Sequence, residues 1–179
     1  MSDACSADMV SFLGWEWTHG PKDGSPQTHW GHKNVIFRNI GPDQVPARPI
    51  ASRDVFHAPS QLPAAIRGLA WLAMSGMNLE HYQSLARHIQ TLGEMQNCEQ
   101  GDVRDLAPDC FELAETPNAL FEKLDQWGYD ALVIPHGMAW GNTNPEGADF
   151  QFQMDQLDDK YQRLLEIYSG HGNSEVYQD

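Results

Sequence analysis

Apolar and polar positions along the chain divide into short runs and longer periodic stretches. Residues 10–17 (Val-Ser-Phe-Leu-Gly-Trp-Glu-Trp) are apolar enough for a buried strand, with a carboxylate, Glu16, near its end. A polar loop over 18–32, rich in Gly, Pro and His, leads to a second strand over 34–38 (Asn-Val-Ile-Phe-Arg). Residues 41–63 hold five of the eleven prolines and predict an irregular excursion. Helical periodicity follows over 63–74 and again over 79–96. In the latter, Leu79, Tyr82, Leu85, Ala86, Ile89 and Leu92 share a face, which leaves His81 and His88 as surface residues. Residues 99–115 are acidic and predict a loop.

The next helix carries its own boundary signals. Thr116 suits the N-cap, Pro117 the first helical position and Gly128 the C-terminal cap, while Leu120, Phe121, Leu124 and Trp127 form the apolar stripe. A four-residue apolar run, 131–134, follows directly and stops at Pro135. Beyond a loop starting at His136, a short helix over 152–160 and a strand over 163–168 complete a helix–strand–helix–strand order. That order predicts a βαβ unit with parallel strands, hence an α/β chain.

Length and composition narrow the function. A chain of 179 residues fits one domain, which at this size buries about 70% of its unfolded surface. A formal net charge of −14 opposes a nucleic-acid backbone or an anionic membrane surface as partner. No apolar run approaches the roughly 18 residues of a membrane span. The charge is uneven: residues 1–57 hold five Lys/Arg and six Asp/Glu, residues 58–179 six and nineteen. Such an excess is a solvated acidic face by default; some of its carboxylates are candidates for holding metal. Cys5, Cys98 and Cys110 form no CxxC pair, and an odd number cannot all pair within the chain; Cys98 and Cys110 could bridge in an oxidising compartment.

The candidate chemistry sits at strand ends. A buried carboxylate such as Glu16 costs several kcal/mol unless it is paired, solvated or bound to a cation. His19, His29 and His32 lie in the loop just after it, and His136 and His171 each follow a predicted strand with glycines nearby. On parallel strands, Glu16, His136 and His171 would converge on one rim. Imidazole and carboxylate together suit Zn, Mn or Fe, and a bound divalent ion lowers the pKa of water toward about 7. Nothing comparable supports other chemistries: there is no Gly-x-Ser-x-Gly elbow, no GxGxxG and no GxxxxGK[ST].

Four motifs, in order, resemble the DUF3604 family, a bacterial group related to the PHP (polymerase and histidinol phosphatase) metal-dependent hydrolases. They are Gly14-Trp15-Glu16-Trp17-Thr18; Gly31-His32-Lys33-Asn34-Val35-Ile36-Phe37; Ile134-Pro135-His136-Gly137 with Trp140-Gly141; and Glu166-Ile167-Tyr168-Ser169-Gly170-His171-Gly172-Asn173-Ser174-Glu175. The resemblance implies a partial, distorted (β/α) barrel of PHP type, mostly parallel strands with flanking helices, and metals at the rim. It implies Glu16, His32 and His136 as metal ligands, with His29 as the alternative to His32. His171 would ligate or act on the leaving group, and Glu175 lies in the same segment. It further implies a divalent transition metal (Zn, Mn or Fe), multinuclear in an intact parent, and hydrolysis of a phosphate ester or related small molecule. The family's His-x-His, Asp-His and Asp-x-His motifs are missing. Their absence implies either that residues 1–179 form the central part of a longer barrel, or a non-catalytic, degenerate fragment.

Overall fold

The computed structural model describes residues 10–19, 30–52, 94–136 and 156–166, together with 84, 87, 88, 91, 168, 169, 172 and 173. Three strands form the central sheet: β1 (Leu13–Thr18), β2 (His32–Phe37) and β5 (Ala131–His136). Strand β2 lies in the middle and runs antiparallel to both neighbours. A small parallel pair joins β3 (Ile50–Ala51) to β4 (Glu112–Leu113), and β6 (Tyr168–Ser169) pairs antiparallel with β7 (Gly172–Asn173). One helix is described from end to end, α1 (Pro117–Trp127). Ser84, Arg87, His88, Thr91 and Glu94 are also helical and exposed, as the stripe over 79–96 requires for His88. No helix among the described residues is long and apolar enough to cross a membrane.

This arrangement overturns the expected fold class. The sheets are mixed, the largest is antiparallel, and the described residues form no barrel of parallel strands with flanking helices. The reason is visible in the burial of β2. Lys33, Val35 and Phe37 are buried while His32, Asn34 and Ile36 are half-buried, so one face packs and the other does not. Such alternation is the mark of an antiparallel sheet covered on one side, whereas barrel strands are buried on both. Segment 131–134 is likewise not the whole strand. β5 continues through Pro135 to His136. Val133 N–H donates outward to the Tyr161 carbonyl at 2.9 Å, so the missing N–H of Pro135, two residues on, also falls on the outer side and breaks no bond to β2.

The C-terminal third departs from expectation too. Residues 156–161 form a turn in which Asp158 accepts from the backbone of Lys160, Tyr161 and Gln162, and 162–166 are irregular. Instead of one parallel strand over 163–168, the chain makes the short β6–β7 antiparallel pair. The expected helix over 63–74 and residues 152–155 lie outside the described residues.

The core forms under the packed face. Trp17, Val35, Phe37 and Val133 meet Leu120, Phe121 and Leu124 of α1, with Val45, Ile50, Ala114 and Tyr161 completing the cluster. Full burial of such side chains contributes about 1.5–3 kcal/mol each. α1 begins and ends as its sequence dictates. Thr116 accepts from Ala119 N–H at 3.2 Å, Pro117 opens the helix, and Gly128 at φ 72° closes it with its N–H on the Leu124 carbonyl at 3.0 Å. Trp15 and Trp17 are core anchors, donating to the carbonyls of Ile50 (3.2 Å) and Ala114 (3.1 Å).

Two polar devices join the outer segments to this core. Glu112 is fully buried between Arg48 Nε (2.8 Å) and Lys123 Nζ (2.9 Å), and Arg48 also donates to the Val103 carbonyl at 2.9 Å. Both cations thus balance the buried Glu112 charge. Tyr161 stacks on Phe121 and donates to Asp125 at 2.7 Å, an aspartate that Lys160 also pairs with. Burial, and then the Asp125 carboxylate, push the Tyr161 hydroxyl up to about 12. Cys98 and Cys110 form a disulfide with Cα atoms 4.8 Å apart, beside the Asn97–Phe111 bridge that leads into β4.

Two measurements check these assignments. A Cys98→Ser/Cys110→Ser variant is expected to lose about 2–3 kcal/mol of stability in chemical unfolding, and dithiothreitol is expected to do the same to the wild type but nothing to the variant. Because the folded Tyr161 keeps its proton above the unfolded value of 10.0, its contribution is complete below pH 10 and is lost as pH rises toward 12. Tyr161→Phe should therefore cost about 1 kcal/mol at neutral pH and flatten the alkaline fall in stability. An alkaline limb unchanged by that substitution would refute the assignment.

Candidate metal centre

Strand register decides which side chains meet. In β1–β2, Thr18 lies opposite His32 and Glu16 opposite Asn34; in β2–β5, His32 lies opposite His136. Directly opposed residues share a face and alternate residues along a strand share it too. Glu16, Thr18, His32 and His136 therefore all project from the half-covered face, at the end of the sheet where β1 and β5 stop and β2 starts. The rim expected from parallel strands does not exist, yet three of its residues converge. An antiparallel central strand delivers its ligand from its beginning, not from its end.

The three side chains are close enough to share an ion. One ligand atom from each of Glu16, His32 and His136 lies within 4.8 Å of the others. His32 Nδ1 is 2.5 Å from Glu16 Oε1, His136 Nε2 is 3.8 Å from that same oxygen, and the two imidazole centroids are 5.4 Å apart. The side chains of His32 and His136 are 22% and 14% exposed, and that of Glu16 is 45% exposed. The hydrogen bond from His32 holds the Glu16 carboxyl below its ordinary range; burial opposes this, and Thr18 and the His136 ring assist it.

The supporting residues are placed with equal definition. Thr18 Oγ1 donates to Glu16 Oε1 at 2.8 Å and lies 3.4 Å from His32 Nδ1. The Thr18 carbonyl in turn accepts from the Ser52 hydroxyl, which ties the end of β1 to the segment after β3. Gly31, at φ 61°, takes the left-handed turn that starts β2, and its carbonyl accepts from His19 N–H at 3.0 Å, extending the ladder one step beyond the His32 pair. Lys33 points the other way. It is buried over the Trp17 ring, donates to the Trp30 carbonyl at 2.9 Å, and burial lowers it to about 7.

Of the sequence candidates, Glu16, His32 and His136 are brought together. His19 is not part of the group: it is buried, stacked on Trp17 and edge-on to Trp30, and accepts from Trp30 N–H. His29, His171 and Glu175 lie outside the described residues. Thr18 was missed by sequence reasoning, although a hydroxyl two residues after a strand-end carboxylate is on the same face by period alone.

Protein-family models, curated proteins and solved structures were all compared with the chain, and none matches. The resemblance to DUF3604 and PHP proteins thus rests on the motifs quoted above.

The donor set fits a divalent transition metal: one carboxylate and two imidazoles suit Zn, Mn or Fe, and Thr18 supplies an outer hydrogen bond that orients the carboxylate. Removal of such outer-shell partners typically costs 10–100-fold in metal affinity. Thr18→Val is accordingly expected to weaken Zn(II) or Mn(II) binding about tenfold by calorimetry. Thr18→Ser, which keeps the hydroxyl, should bind like the wild type. Equal binding by both variants would remove Thr18 from the centre.

Proposed function

We propose that this chain is part of a metal-dependent hydrolase acting on a phosphate ester or related small molecule, with Glu16, His32 and His136 holding the metal. The observation that carries the reading is the meeting of one carboxylate and two imidazoles, from three adjacent strands, within 4.8 Å on a half-covered sheet face. When bound, a divalent ion supplies Lewis acidity and makes a nucleophile of water near neutral pH. The protein's part is to hold the three donors on rigid strands, to orient Glu16 through Thr18, and to keep the opposite face dry behind Trp17 and Val133. The kinship with PHP hydrolases is proposed on motif order; the barrel plays no part in it. A role for His171 toward the leaving group belongs to the same proposal and rests on sequence only.

A second reading has its own observation. His32 and Thr18 already satisfy Glu16 by hydrogen bonds, at 2.5 and 2.8 Å, so the cluster is stable as a purely polar group. In that reading the chain is a non-catalytic, degenerate fragment.

Metal content separates the two. The purified protein, reconstituted with Zn(II), Mn(II) or Fe(II) and desalted, is expected to retain metal at stoichiometric level by elemental analysis. Glu16→Gln and His136→Ala should each lose it, while His88→Ala, on an exposed helical position, should not. Retention should fall in acid, because the ligands bind deprotonated. Absence of metal from the wild type would favour the non-catalytic reading, and equal retention in all three variants would refute the assignment of Glu16 and His136 as ligands.

A further inference from the structure

At the far end of the sheet, where β2 stops and β5 starts, lies an open cleft of about 570 Å³. That is within the ~300–1,000 Å³ typical of small-molecule sites. Its apolar wall includes Phe12, Ile36 and Leu132, and Phe12 is 61% exposed. A large exposed aromatic in a concavity is apolar surface that a ligand can cover.

The charge at the cleft is unlike that of the chain. With 11 Lys/Arg against 25 Asp/Glu, cations are scarce, yet Arg38, Lys160 and Arg163 all line this one cleft. Two are committed: Lys160 to Asp125, and Arg38 to Asp130 at 3.5 Å. Arg163 has no ion pair among the described residues. A guanidinium presents a planar fork of donors that matches the paired oxygens of a carboxylate or phosphate.

We propose that this cleft binds a small aromatic anion, its ring against Phe12, Ile36 and Leu132 and its carboxylate or phosphate on Arg163. The ligand complements both properties of the cleft, apolar wall and surplus cation, where a neutral hydrocarbon or a cation complements at most one. Two of its wall residues, Ile36 and Leu132, lie on the same sheet face as the metal centre. Leu132 and His136 have the same parity on β5, four residues and about 13 Å apart. A substrate whose acidic aromatic end sits in the cleft would extend along that face toward Glu16, His32 and His136. This last step rests on the hydrolase reading; binding in the cleft does not.

The test uses the full chain with EDTA present, so that metal binding plays no part. The probes are 2-naphthoate, 2-naphthyl phosphate and neutral 2-naphthamide, followed by calorimetry. At least one of the two anions is expected to bind saturably and at least tenfold more tightly than the amide, and which one does so identifies the acidic group. Arg163→Gln, at an exposed position, should remove that preference, and Phe12→Ser should weaken anion and amide alike. Equal affinity for anions and amide, or an anion preference that survives Arg163→Gln, would overturn the proposal. So would a concentration-dependent dimer that Arg163→Gln dissociates, since the cleft would then belong to a second copy. Naphthoate binding without any metal retention would sink the hydrolase reading and leave the cleft standing.

Discussion

The register of β2 between its two antiparallel neighbours is the constraint on which everything else in the described structure depends. Because side chains alternate with a period of two, a slip of one residue would move the whole set to the other face. The observed register places Trp17, Lys33, Val35, Val133 and Pro135 on the packed side and Glu16, Thr18, His32 and His136 on the other. Core and candidate centre are thus two faces of one decision. The core enforces it: Trp17 and Val133 are fully buried, and exposing them would forfeit several kcal/mol. Additional ties fix the strand ends, with Ser52 on the Thr18 carbonyl and Trp17 on the Ala114 carbonyl.

How much of this could be read from the sequence depended on how local the cause was. Helix α1 was legible to the residue, because Thr116, Pro117 and Gly128 act within one turn of its ends. The direction of the sheet was not. Four apolar residues, 131–134, look the same whether one face or both are covered. In β2 the period-two pattern is present, but Lys33 occupies a packed position where an apolar residue would have advertised it. Pro135 read as a terminator because it lacks a donor, whereas at an outward-facing position that donor has no partner in β2 to lose. Glu112 was invisible as a buried ion pair, since its partners Arg48 and Lys123 come from a Pro-rich excursion and a helix with no pattern linking them.

The candidate site was legible in a particular way. Residue type and nearness to a strand end pointed to Glu16, His32 and His136, and those properties do not depend on strand direction. The mechanism of convergence was misjudged. Parallel strands would bring ligands together at their C-terminal ends; here a strand of opposite direction contributes its first residue. The same logic explains why His19 fails as a ligand. It lies one residue beyond β1, at odd offset from Glu16, and is therefore drawn to the packed side between Trp17 and Trp30.

The hydrogen bond between His32 and Glu16 gives the centre a built-in competition. It holds the carboxylate ionised and the imidazole oriented, so two of three donors are set in place before any cation arrives. Yet an ion held through Nδ1 would break that bond and need the ring proton on Nε2, so binding would be coupled to a change of tautomer. Thr18 moderates that competition by donating to the same oxygen from the side, so that Glu16 keeps a hydrogen bond when His32 gives its own up. His136 Nε2, at 3.8 Å, stands beyond hydrogen-bond reach of that oxygen. One carboxylate held by a hydroxyl, beside two imidazoles, favours an ion that gains enough from nitrogen ligation to offset the lost hydrogen bond. Among divalent ions that is a transition metal and not calcium or magnesium, whose preference is for oxygen.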